Sequence, residues 1–221
     1  MRPDGPPRRA VDEGNPVTAR IAVLDYGMGN LHSVGRALAR VGAEVCVTSD
    51  GAEAARASGV VIPGVGGFGA CVQSLRAAAL EPAIRAAVES GRPVFGVCLG
   101  MQILFEGSDE DAEDGLAVLP GHVGRLPASV RVPHTGWNTV SWTGRRHAYT
   151  AGIADGTSFY FVHSYAATVD RDLTVGVTDH GRSFASAVAR GNVFGTQFHP
   201  EKSGDAGLEL YGAFVREVRA A

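Results

Sequence analysis

Cysteine is scarce in this chain. Its 221 residues hold three, Cys46, Cys71 and Cys98. An odd number with no C-x-x-C spacing argues against a disulfide framework and against a structural zinc site. A reducing cytoplasm is the simplest setting for such thiols. Charge of one sign is lacking too. Twenty Lys and Arg face 23 Asp and Glu, for a net charge of -3, so nothing points to a nucleic-acid or membrane surface. The pairs Arg8-Arg9 and Arg145-Arg146 are too short to form basic patches. No apolar run approaches the length of a bilayer span. The acidic stretch Gly107 to Gly115 lacks EF-hand spacing and reads as a solvated surface loop. Nothing calls for a metal or another cofactor.

What is present fits one globular domain with a sizeable core: 45% hydrophobic and 19% charged residues in a chain of this length. The N-terminal stretch stands apart. Pro3, Pro6, Pro7 and Pro16, with Gly5 and Gly14, break any helix. It lacks the apolar middle of a signal peptide, and Asp4, Asp12 and Glu13 count against a transit peptide. Residues 1–19 are read as a disordered tail and 20–221 as the domain.

The domain opens as alternating strands and helices. Ile21 to Leu24, Val45 to Val47, Val60 to Ile62 and Pro93 to Val97 read as strands. Leu31 to Val41, Ala70 to Ala79 and Glu81 to Glu89 read as helices between them. Gly27-Met28-Gly29 after the first strand has His32 where a dinucleotide fingerprint needs a third glycine. From Gly121 onward the pattern becomes short strands: Val123, Val130 to Val132, Thr139 to Trp142, Ser158 to Val162, Leu173 to Val177, Ala185 to Ala189 and Val193 to Phe198. A helix over Gly207 to Arg219 closes the chain. The predicted fold is α/β: a mostly parallel central sheet flanked by helices, extended by antiparallel strands in the C-terminal half.

The stretch that carries chemistry is Gly96-Val97-Cys98-Leu99-Gly100, the G-x-S-x-G nucleophile elbow with cysteine for serine. Small flanking residues permit a sharp turn that lifts the thiol above the sheet. A helix continuing through Met101 to Phe105 places that thiol at its N-terminus, where thiolate is favoured. A buried structural cysteine beside two loop glycines is the alternative reading of these five residues.

A nucleophilic cysteine needs a base, and the base an orienting group. Of seven histidines, His199 ends an apolar strand in His199-Pro200-Glu201. Residues two apart in extended chain face one side, so Glu201 can fix the imidazole's tautomer. His163 is the rival base, without an acidic neighbour. The oxyanion needs N–H donors. One is the amide of Leu99, after the nucleophile, and the turn Pro63-Gly64-Val65-Gly66 is the natural source of the other.

Together these motifs resemble the class I (triad-type) glutamine amidotransferases, and more narrowly the glutaminase subunits of imidazole glycerol phosphate synthases. The likeness runs from about Ile21 to the C-terminus. It is carried by Asp25 to Asn30, Pro63 to Gly66, Gly96 to Gln102, Gly136-Trp137-Asn138, Phe161 to Tyr165 and Gln197 to Ser203. It implies a flavodoxin-like α/β fold and a Cys98, His199, Glu201 triad that hydrolyses glutamine through a cysteinyl thioester. Val65, Gly66 and Leu99 would form the oxyanion hole. Gly64, Gln102, Glu110, Ser164 and Tyr165 would hold glutamine, Glu110 by its α-amino group. The implied partner is a (β/α)₈-barrel cyclase, in a heterodimer, contacted through Asn30, Trp137 and Lys202. Ammonia would pass to it for synthesis of imidazole glycerol phosphate and an aminoimidazole carboxamide ribotide in histidine biosynthesis. Thr135 stands where such subunits usually carry Met. The alternatives are an anthranilate-synthase-type amidotransferase subunit, a free-standing γ-glutamyl hydrolase, and a non-catalytic regulatory module that kept the fold.

Overall fold

The structure, a computed structural model, describes residues 19–145 and 147–221. Residues 1–18 of the expected tail lie outside them. Ala19, assigned to that tail, is buried, and its carbonyl accepts from the amide of Glu44.

The first half alternates strands β1 (Arg20–Leu24), β2 (Glu44–Thr48), β3 (Gly59–Gly64) and β4 (Val94–Cys98) with helices α1 (Leu31–Arg40), α2 (Gly51–Arg56), α3 (Phe68–Ala77), α4 (Glu81–Glu89) and α5 (Leu99–Gln102). There follow β5 (Gly107–Ser108), β6 (His122–Arg125), β7 (His134–Trp142), β8 (Thr157–His163), β9 (Tyr165–Ala167), β10 (Thr174–Asp179), β11 (Ser183–Arg190), β12 (Val193–Thr196) and α6 (Gly204–Ala220).

Nine strands form one sheet in the order β2-β1-β3-β4-β12-β11-β10-β7-β8. The first five are parallel and the pairs from β12 to β8 antiparallel. A second sheet, β5-β6-β9, packs beside it. Strands β3, β4 and β12 are buried along their whole length. That explains their unbroken apolar sequences, since helices cover both faces of a parallel sheet. On one face Phe95 meets Phe194, Tyr211 and Phe214 at centroid distances of 5.2, 5.5 and 5.4 Å. On the other, Ile62 and Met101 pack with Val72, Leu75 and Ile84. The carboxyl ends of β3, β4 and β12 lie together, where open α/β sheets place their ligands.

Three expectations need correction. The helix after Cys98 is one turn long and does not run to Phe105. The carbonyls of Ile103, Leu104 and Phe105 are taken by the amides of Leu116, Val118, Leu119 and Ala117, and all three side chains are buried. A helix there would have no polar face. Val130 to Val132 is no strand: the amide of Val130 closes a turn onto Pro127, and Pro133 removes the next donor before β7 begins. The acidic stretch is exposed but latched. Glu113 pairs with Arg76 and Gln73, Asp109 bonds His122 and the amide of Arg125, and Glu110 accepts from the amide of Phe68 at 3.0 Å.

Candidate active site

Cys98 sits at the tip of β4 with φ 53° and ψ -109°, in the region that favours glycine. Such backbone strain persists only when its surroundings over-determine it. Here the flanking glycines do so. A Cβ on Gly100 would lie 1.8 Å from the carbonyl oxygen of Ile62, and one on Gly96 2.7 Å from the Cα of Met101. The single turn α5 is therefore pressed directly onto β3 and β4. Gly64 belongs to the same packing, for its Cβ would stand 2.5 Å from the amide nitrogen of Gly100. Gly64, expected in the glutamine site, thus lies beneath the elbow.

Above the elbow opens a cavity of ≈ 270 Å³. Cys98, Leu99, His199, Val65 and Gly66 line it, with Gln102, Glu110, Ser164 and Tyr165 around them. Pro133, Val162 and His163 complete the wall. The residues expected to act on glutamine, Gly64 apart, therefore meet in one place, although they come from β4, α5, the turn after β3, the acidic loop, the β8–β9 corner and the segment after β12.

His199 Nδ1 lies 2.9 Å from Glu201 Oε1, and both side chains are buried. Burial works against a charge on His199, but Cys98 and Glu201 outweigh it and raise the imidazole to about 10. The Nε2 atom has no hydrogen bond to any described residue, and of the two groups that raise the imidazole Cys98 contributes more than Glu201. The Sγ atom of Cys98 receives the side-chain amide of Gln197 at 3.6 Å and lies 3.9 Å from the carbonyl of Val162. One helical turn has a small dipole, which leaves Gln197 as the evident donor to sulfur. His163, the rival base, has both ring nitrogens engaged, Nδ1 with the carbonyl of Tyr165 at 2.8 Å and Nε2 with His134 at 3.0 Å.

Beside the cavity mouth, β7 and β8 present an apolar face. Trp137 is 60% exposed and Val162 37%. Trp137 stands edge-on to Tyr160, whose ring is covered by Lys202 Nζ at 5.8 Å. Asn30 precedes α1, its carbonyl accepting from the amide of Val34, on the loop that carries Met28, and Met28 Cε would meet a Cβ on Gly66 at 2.9 Å. Tyr160 and His134 are not singled out by the sequence, and Gln197 only as the start of the Gln197 to Ser203 motif. The alternation of β8 identifies Tyr160 as outward-facing beside Trp137. The buried polar contacts of the other two arise only on folding.

The family model for glutamine amidotransferase class-I matches residues 22–217, and the chain belongs to that family. The chain is 49% identical over 203 residues to the imidazole glycerol phosphate synthase subunit HisH of Moorella thermoacetica, covering 91% of this chain and 96% of that one. It is 44% identical to the subunit of the same name from Bacillus cereus, covering 90% and 96%. Among solved structures, PurLQS from Thermotoga maritima superposes with a TM-score of 0.71 at 20% identity, over 90% of this chain and 99% of that one. Within the class-I amidotransferases, then, the chain is one of the HisH-type glutaminase subunits.

Proposed function

We propose that this glutaminase works through Cys98, His199 and Glu201, and hands its ammonia to a cyclase subunit. The observation that carries the reading is the buried His199–Glu201 pair, with His199 lining the cavity beside Cys98. Cys98 passes its proton to His199 Nε2 and attacks the side-chain carbonyl carbon of glutamine. The developing oxyanion is held by the amides of Leu99 and of the Val65–Gly66 turn. When the C–N bond breaks, His199 gives its proton to departing ammonia. A γ-glutamyl thioester remains. Water attacks it, His199 takes the water's proton, the C–S bond breaks, and the thiolate recovers the proton. Glu201 holds the imidazole in orientation and stabilises its charge.

Gln102, Ser164 and Tyr165 position glutamine. Glu110 meets its α-amino group with the carboxylate that also caps α3 at Phe68. Trp137, Lys202 and Asn30 mark the docking face for a (β/α)₈-barrel cyclase, which uses the ammonia to make imidazole glycerol phosphate and an aminoimidazole carboxamide ribotide. The chain works as a cytoplasmic heterodimer subunit of histidine biosynthesis, without nucleic acid or membrane. Among the described residues no helix is long and apolar enough to cross a membrane.

The test is ammonia release from glutamine by the isolated chain and by its complex with the cyclase. The reading predicts negligible release alone and a sharp rise on adding the cyclase and its ligand. High constitutive release by the isolated chain would favour a free-standing hydrolase instead.

A further inference from the structure

Along and behind the cavity wall runs a line of buried polar side chains, two of which, His134 and His163, have no part in the reaction above. His134, His163, Gln102 and Gln197 are 5, 7, 3 and 0% exposed. The carbonyl of Tyr165 can only accept, so His163 carries its proton on Nδ1, 2.8 Å away. Neutral His163 then offers Nε2 as an acceptor, and His134 Nδ1 donates to it at 3.0 Å. That leaves His134 Nε2 to accept from the side-chain amide of Asn138 at 3.2 Å. Asn138 is fixed in its turn: its amide also donates to the carbonyl of Asp179, and its oxygen accepts from the amide of Thr139. A proton added to either ring would set two donors against each other. Burial agrees, lowering His134 to about 4 and His163 to about 3.

From Tyr165 the line continues inward. Gln102 Nε2 donates to the same carbonyl and to Gln197 Oε1, both at 2.8 Å. Gln197 Nε2 donates to Cys98 Sγ at 3.6 Å. Two donors converge on the Tyr165 carbonyl, which has no proton to pass on, so the line is no proton wire. Nor do the histidines form a metal site: their nitrogens point at one another, at the Tyr165 carbonyl and at the Asn138 amide, and no metal-ready cluster occurs among the described residues.

We infer that His134 and His163 are positioning residues, held as neutral Nδ1–H tautomers, that fix the Tyr165 carbonyl and, through Gln102 and Gln197, the amide that donates to the Cys98 sulfur. The inference rests on the proposed role of Cys98 for its consequence in glutamine hydrolysis. It also links the docking strand to the nucleophile. Along β7, Asn138 and His134 point inward while the intervening Trp137 and Thr135 point out.

The test uses the full chain. Nitrogen-15 NMR of the imidazoles is predicted to show both rings neutral and protonated at Nδ1 from about pH 6 to about pH 8. An Nε2–H or charged ring at either position overturns the inference. Alkylation of Cys98 by iodoacetamide, read by peptide mass spectrometry to separate it from Cys46, gives a second measure that needs no partner. His134→Phe should be accommodated against Phe161, which already stacks on the ring at 4.9 Å. That variant is predicted to slow alkylation about tenfold, while His134→Asn, which keeps a donor near the Nδ1 position, stays within about twofold of wild type. In the cyclase complex, His134→Phe should also raise KM for glutamine more than it lowers kcat, because Tyr165 and Gln102 line the substrate site. A folded His134→Phe chain with wild-type alkylation and KM would make the pair merely structural. Loss of cyclase stimulation with intact tautomers and alkylation would instead count against the docking assignment.

Discussion

His199 bears opposed influences at the scale of a single residue. Burial resists its charge, and Cys98 with Glu201 more than restores it. In the proposed reaction, attack by thiolate and protonation of the leaving amine both use the imidazolium form, so the high imidazole value sets the alkaline limit. Activity of the complex is predicted to hold from neutral pH and to fall as pH approaches about 10. Replacing Glu201 with Gln removes one of the influences that raise His199. The imidazolium then loses its proton at lower pH, and the alkaline limb of the profile moves down. The same variant should lower kcat by about 10²-fold or more, because the tautomer is no longer held. A pH profile of kcat for wild type and Glu201→Gln measures both. An unmoved limb would separate Glu201 from the base.

Elements decide whether the cysteine is presented at all. The elbow depends on α5 lying against β3, and Gly100 allows that contact, since a methyl there would overlap the Ile62 carbonyl. Gly100→Ala is predicted to destabilise the fold by about 3 kcal/mol or more, read from urea unfolding, because backbone on both sides must move. The glycines, the elbow at Cys98 and the His199-Pro200-Glu201 spacing were legible in the sequence because each is a local constraint. The parallel half was legible too, as unbroken apolar runs separated by periodic helices. Other elements were not. Helix α2 has six residues and too little apolar period to register, although Asp50 caps it by accepting from Ala52. Strands β5 and β9 are short and defined by their partners. The early end of α5 reflects a distant loop claiming its carbonyls. Val130 to Val132 has the composition of a strand and the neighbours of a turn. The line from Asn138 to Cys98 joins residues far apart in sequence and has no local signature.

For the whole molecule, the sheet places two things at one edge of the cavity. Its parallel half holds Cys98, the proposed nucleophile, and its antiparallel half ends in β7 and β8, whose outer face exposes Trp137 and Val162 beside the half-buried Tyr160. Aromatic anchors of this kind dominate binding at interfaces. Trp137→Ala is predicted to weaken cyclase binding by about tenfold or more while leaving thermal unfolding of the isolated chain unchanged. Titration calorimetry alongside a melting curve would reveal it. Unchanged binding would move the docking face elsewhere.

The most direct measurement takes the complex with Cys98→Ala and supplies the cyclase reaction with either glutamine or ammonium salt. Glutamine should then support no synthesis, while ammonium drives the cyclase as it does in the wild-type complex. Synthesis from glutamine by that variant would contradict the assignment of Cys98 as the nucleophile.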